Sequence, residues 1–226
     1  MSTLTSLLRA ADLAGSPAAR WTRAGRLAAA ATLLLAASFQ LAAFLTEEQH
    51  DETIDRFRWI AANPDQADLA KLFDILAMPF LFGVVIVYVL LSRQRSPRLA
   101  YAGGILLGCG MVGLSMIQGY EALAFSLVQD GRFELSALAD AFEDAAPPTI
   151  AMLLFFLPGA FFGLLTLVVA LWRSRAVPRA AVLLIPLFII TDFLLQMGVL
   201  GHAIALAAAC WIASAVLLAG RATSAG

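Results

Sequence analysis

From Ala180 to Gly220 the chain carries a single formal charge, Asp192. Drawn out as one helix, that stretch would measure roughly 60 Å, about twice the thickness of a bilayer's hydrocarbon core. It must therefore double back while keeping nearly every side chain away from water. The pattern predicts two adjacent helices, near 180–197 and 201–220, with a tight turn at Gly198, Gly201 and His202, where small and polar residues interrupt the apolar run.

The same logic applies upstream. Charges are gathered into short clusters, and between them lie windows at 27–46, 72–92, 99–127 and 147–172, each long enough to cross about 30 Å at about 1.5 Å per residue. A composition of 61% hydrophobic against 14% charged residues is more apolar than a soluble core of this size needs. The expected fold is an all-α polytopic membrane helix bundle with six transmembrane helices. The membrane domain covers 24–220, preceded by a cytoplasmic tail over 1–23, weakly amphipathic through Leu4, Leu7, Leu8 and Leu13, and followed by a cytoplasmic tail over 221–226. Ala36-Ala37-Ser38 imitates a signal-peptidase site, but the apolar stretch runs on to Thr46, so the first span is expected to be retained.

Charge asymmetry predicts the orientation. With the amino terminus inside, the cytoplasmic segments hold Arg9, Arg20, Arg23, Arg26, Arg93, Arg95, Arg98, Arg173, Arg175, Arg179 and Arg221, leaving Arg56, Arg58, Lys71 and Arg132 outside. The excess of positive charge inside places both termini in the cytoplasm. The outer loops are acidic, with Glu47, Glu48, Asp51, Glu52 and Asp55 in the first and residues 130–144 forming the second. Phe57, Trp59 and Ile60 in the first loop, and Leu135, Leu138 and Phe142 in the second, predict short helices resting on the membrane surface.

A charged residue within a span costs roughly 2.5–3.5 kcal/mol on insertion scales, so each one calls for a reason. Asp192 lies past the midplane of its predicted span, with Gln196 one turn above on the same face. Gln118 and Glu121 share a face of span three, Asp74 opens span two and His202 caps the last hairpin. Asp74, Gln118, Glu121, Asp192, Gln196 and His202 are expected to gather toward the outer side. There they would form a polar ligand site for a small cation, a proton or a lipid headgroup, with Asp192 as its buried anchor. The blander reading leaves Asp74 and Glu121 in interfacial water and uses Asp192, bonded to Gln196 and Thr191, as a tie between helices.

Two other functional classes fit the same residues. An intramembrane enzyme would use Asp192 and Glu121 as an acid and base pair, which requires their carboxyls to meet. A structural or partner-binding subunit, or a homo-oligomer, would assemble through the glycine-rich span three, with Gly103, Gly104, Gly108, Gly110 and Gly113. Phe155, Phe156, Phe161 and Phe162, around Pro158-Gly159, would line a groove for a lipid tail or isoprenoid, or simply pack.

Other chemistries lack residues. A net charge of −1 without a basic run gives no reason to expect nucleic acid. Ser115 has no histidine on its own span, and neither a catalytic triad nor a phosphate-binding loop appears. His50 and His202 lack zinc-ligand spacing, and Cys109 and Cys210, each alone in an apolar window, read as small core residues. No catalytic residue, metal or cofactor is expected; the partner the composition demands is the lipid bilayer.

Two short motifs add a resemblance. Ala62-Asn63-Pro64 leads to Leu72-Phe73-Asp74 at the head of span two, and Trp172-Arg173-Ser174 is followed by Pro178-Arg179 before the span holding Asp192. Over roughly residues 24–200 the chain resembles an uncharacterised family of six-helix bacterial membrane proteins, a domain of unknown function. The resemblance implies the six-helix arrangement, carries Asp74 and Asp192 over by motif, and supplies no activity. Pro147-Pro148 and Pro158-Gly159 depart from the regular fourth helix the family implies.

Overall fold

A computed structural model describes residues 17–143 and 147–219. The leucines at 4, 7, 8 and 13, Arg9, Asp144, Arg221 and the predicted carboxyl-terminal tail lie outside the described residues. Among those described, the chain is all-helical without a strand: α1 (Arg23–Thr46), α2 (Thr53–Ala62), α3 (Pro64–Ser92), α4 (Pro97–Asp130), α5 (Leu135–Glu143), α6 (Pro147–Ser174), α7 (Arg179–Ile189) and α8 (Gly198–Ala219), with a 3-10 turn at Pro17–Arg20. Five helices, α1, α3, α4, α6 and α8, are long and apolar enough to cross a membrane. This is the make-up of a multi-pass membrane protein.

The exposed residues fit that class. Ile105, Leu154, Phe162 and Leu194 stand more than half exposed on the outside of the bundle, an arrangement that costs free energy in water and little in lipid. Cys109 and Cys210 are exposed as well, which corrects their assignment to the core.

Local chemistry sets the helix ends. The Thr22 hydroxyl accepts the Gly25 amide at 3.1 Å and caps α1. Pro64 stands in the first turn of α3, where its missing amide costs nothing. Gly131, at φ 68°, closes α4 in the left-handed conformation.

The long helices alternate in direction. Thr32 of α1 meets Gly83 of α3, while the Gln66 amide beside the start of α3 reaches the Thr46 carbonyl at the end of α1. Along α4 and α6, Gly103 meets Leu167, Gly110 meets Ala160 and Gly113 meets Phe156, so this pair is antiparallel and in backbone contact. A Cβ at Gly110 would lie 2.5 Å from the Ala160 nitrogen, and one at Gly159 would lie 2.6 Å from the Gly110 nitrogen. Only glycine permits that approach. The glycine face of α4 is thus used within the chain at these positions, while Gly108 faces open space.

The two short loop helices form a cap. Phe57, Trp59 and Ile60 of α2 are buried in one cluster with Ala124, Phe125 and Val128 of α4 and Leu138 of α5. Phe57 meets Phe142 edge-on at 5.7 Å. The apolar residues expected to rest on the membrane surface therefore face the protein. With this alternation, the turns bearing Arg93, Arg95, Arg173, Arg175 and Arg179 share one end of the bundle and the α2–α5 cap closes the other.

The last apolar stretch departs most from expectation. Helix α7 stops at Ile189, widens into a π turn over Ile190–Leu194, and the chain reverses at Gln196, whose φ is 53°. The reversal precedes Gly198 rather than falling on Gly198 and Gly201, both of which belong to α8. Gly201 instead admits the Asp192 backbone, since a Cβ there would lie 2.9 Å from the Asp192 Cβ.

Candidate functional site

The polar residues divide into two groups. The first is built around Lys71. Because α3 begins at Pro64, Lys71 and Asp74 lie one turn apart on a formed helix, both buried, at 5% and 8% exposure. The Lys71 ammonium donates to Asp74 Oδ2 at 3.2 Å, to Gln118 Oε1 at 2.8 Å and to Glu121 Oε2 at 2.6 Å. It also lies 5.0 Å from the Phe125 ring centroid. Arg56 of α2 completes the group, with Nε 2.6 Å from Glu47 Oε1 and Nη1 3.4 Å from Glu121 Oε1.

Burial would lower the Arg56 pKa, but the charges of Glu121 and Glu47 outweigh it and hold the guanidinium above its ordinary value. Its charge is therefore permanent at any accessible pH. Gln40 of α1 donates to Asp74 Oδ1 at 3.4 Å. Every charge in this group has a partner of opposite sign, and Lys71 fills the place where a bound cation would sit. The group links the cap to α1, α3 and α4.

The second group lies at one end of a cavity of about 350 Å³ between α1, α3, α4, α6, α7 and α8. The π turn of Ile190–Leu194 brings Asp192 toward α8, where its Oδ1 is 3.3 Å from His202 Nδ1. The same nitrogen is 2.9 Å from the Gly198 carbonyl. Both neighbours are acceptors, so Nδ1 carries the proton. In the neutral ring Nε2 is then an acceptor, and it has no partner among the described residues. Phe44 stacks on the His202 ring at 4.0 Å and Phe188 meets it edge-on at 5.5 Å.

Gln40, Asp192 and His202 line the end of this cavity nearer the α2–α5 cap, and toward the other end the described walls are apolar apart from the Tyr88 hydroxyl. Among the described residues no lysine or arginine lines it. Phe156 and Phe161 line it too, while Phe155 and Phe162 are exposed on the outside. The phenylalanine-rich stretch is thus divided between the cavity wall and the outer surface of the bundle.

Of the six residues expected to form one site, Asp74, Gln118 and Glu121 meet at Lys71, and Asp192 meets His202. Gln40 stands between the groups, bonded to Asp74 and lining the cavity. Gln196 joins neither: it is exposed at the chain reversal and makes no side-chain hydrogen bond among the described residues. Asp192 does not bond Thr191, whose hydroxyl donates to the Leu187 carbonyl. Glu121 is held by Lys71 and Arg56 while Asp192 lines the cavity beside His202, so the two carboxyls do not meet as an acid and base pair. Asp74 and Glu121 are both ion-paired, Asp74 buried and the Glu121 side chain 27% exposed.

Lys71, Arg56 and Glu47 were not expected from the sequence, because the segment 47–71 reads as loop, and neither was Gln40, an uncharged residue within the first apolar window. The signal was Asn63-Pro64, a helix start seven residues ahead of Lys71, together with the Lys71/Asp74 spacing. Among the described residues no three His, Cys, Asp or Glu side chains could hold a metal ion together. No protein-family model, curated protein or solved structure matches the chain.

Proposed function

We propose that the chain is a six-pass membrane protein that binds an amphipathic small molecule in its central cavity. The observation that carries this reading is a cavity of about 350 Å³ whose walls are apolar except where Gln40, Asp192 and His202 gather at its outer end. Such a lining suits a ligand with an apolar body and one polar end. The fully paired Lys71 group argues against that group as a site for a free cation.

Six passes require that α7 and its π turn cross together. Their 16 residues, 11 plus 5, measure roughly 24 Å, close to a thinned core. The arginines at one end of the bundle favour that end as cytoplasmic and the α2–α5 cap as outer. The Asn63-Pro64 and Trp172-Arg173 motifs, and the six-helix bacterial family they resemble, agree with this arrangement, in the cell membrane.

The test is a calorimetric titration of 4-phenylbutanol into nanodiscs carrying the protein, with empty nanodiscs subtracted. Saturable binding is expected, and Ala205→Phe, which fills the cavity beside His202, should weaken it about tenfold or more, the effect of losing one buried aromatic ring's contacts. No saturable binding above empty nanodiscs would overturn the reading.

A further inference from the structure

The chemistry of the cavity's outer end narrows the ligand class further, an inference that rests on the binding reading above. The three polar side chains there present acceptors. Asp192 contributes a carboxylate, 16% exposed at its side chain. The His202 side chain is 7% exposed; with Nδ1 committed to Gly198 and Asp192, it offers Nε2. Gln40 has given one amide N–H to Asp74, which leaves its carbonyl oxygen as an acceptor beside its second N–H. Among the described residues no lysine or arginine lines the cavity, so an anionic ligand would bring a second negative charge beside Asp192.

Aromatic rings surround the same end. Phe44 and Phe188 flank His202, Phe193 lies 6.4 Å from Phe188, and Phe156 lies 6.3 Å from Phe193. All four line the cavity. Ring faces beside a half-buried carboxylate attract an organic cation, whose charge is spread and weakly hydrated, in preference to a small metal ion that needs many oxygen ligands.

We propose that the ligand is a lipophilic ammonium: an apolar body bearing one protonated amine whose N–H donates to Asp192 among the rings of Phe44, Phe188 and Phe193. The apolar body lies inward, toward Leu81, Val84 and Met111.

The test compares 4-phenylbutylamine, 4-phenylbutanol and 4-phenylbutyrate, titrated at pH 7 into phosphatidylcholine nanodiscs with and without the protein. The amine is expected to bind about tenfold or more tighter than the alcohol, the gain of one charge-assisted hydrogen bond, with the carboxylate weakest. Asp192→Asn should bring the amine down to the affinity of the alcohol and leave the alcohol unchanged. Because Asp192 packs against Gly201, the order of the three probes on the wild-type protein decides the matter even where that variant does not fold. An amine no tighter than the alcohol, or an amine preference that survives in folded Asp192→Asn, overturns the ammonium assignment while the binding reading stands. Failure of all three probes to saturate overturns both.

Discussion

Replacing Lys71 by methionine tests whether the internal ion group holds the cap to the bundle. The substitution keeps the length of the side chain and removes the ammonium. Glu121 retains Arg56 at 3.4 Å, but Asp74, 8% exposed, keeps only the Gln40 amide at 3.4 Å. An uncompensated buried carboxylate of this kind costs about 3–5 kcal/mol. Arg56→Met should cost less, about 1–2 kcal/mol, because Lys71 still neutralises Glu121 and the arginine is partly solvated. Adding Asp74→Asn to Lys71→Met removes the stranded charge, and the double variant should recover about 0.5–3 kcal/mol relative to additivity. Reversible unfolding in mixed micelles, followed by circular dichroism, measures the wild type, the three single variants, Asp74→Asn included, and the double variant. A Lys71→Met loss below about 1 kcal/mol, the range of exposed ion pairs, or strictly additive variants, would refute the clamp.

Further outcomes follow from the packing. Gly110→Ala should destabilise by about 1–3 kcal/mol, because its Cβ would press on the Ala160 backbone of α6. Gly108→Ala, facing open space, should instead stabilise by about 0.5–1 kcal/mol, and the same unfolding assay compares them. Gly131→Ala should cost about 1 kcal/mol through its positive φ, without altering ligand binding. If the bundle is oriented as proposed, a cysteine at Arg95 should react with an impermeant maleimide only in opened cells, and one at Arg132 in intact cells. The reverse pattern would invert the topology.

Much of the fold was legible because charge clusters bound long apolar windows: the four windows before Trp172 each correspond to a helix, extended at the ends where Pro64 and Pro97 start a first turn. The reversal after α7 was misplaced because glycines normally mark such turns, whereas here Gly198 and Gly201 serve packing against Phe44 and Asp192 and Gln196 takes the positive φ. The polar residues expected in one site fall into two groups, with Gln196 in neither. Asp74, Gln118 and Glu121 converge on a lysine whose segment reads as loop in the sequence, and Asp192 turns to His202 because a π turn changes the face on which it emerges. Spacing along a regular helix could not anticipate that widening, so Gln196 was placed on a face it does not share.

The most direct measurement of the central claim is photo-crosslinking with a diazirine-bearing 4-phenylbutanol in nanodiscs, mapped by peptide mass spectrometry and competed with excess 4-phenylbutanol. The account predicts competable labels on cavity residues such as Tyr88, Met111, Phe156 and Phe161. Labels confined to the outward-facing Ile105, Leu154 and Phe162, and unaffected by the competitor, would contradict it.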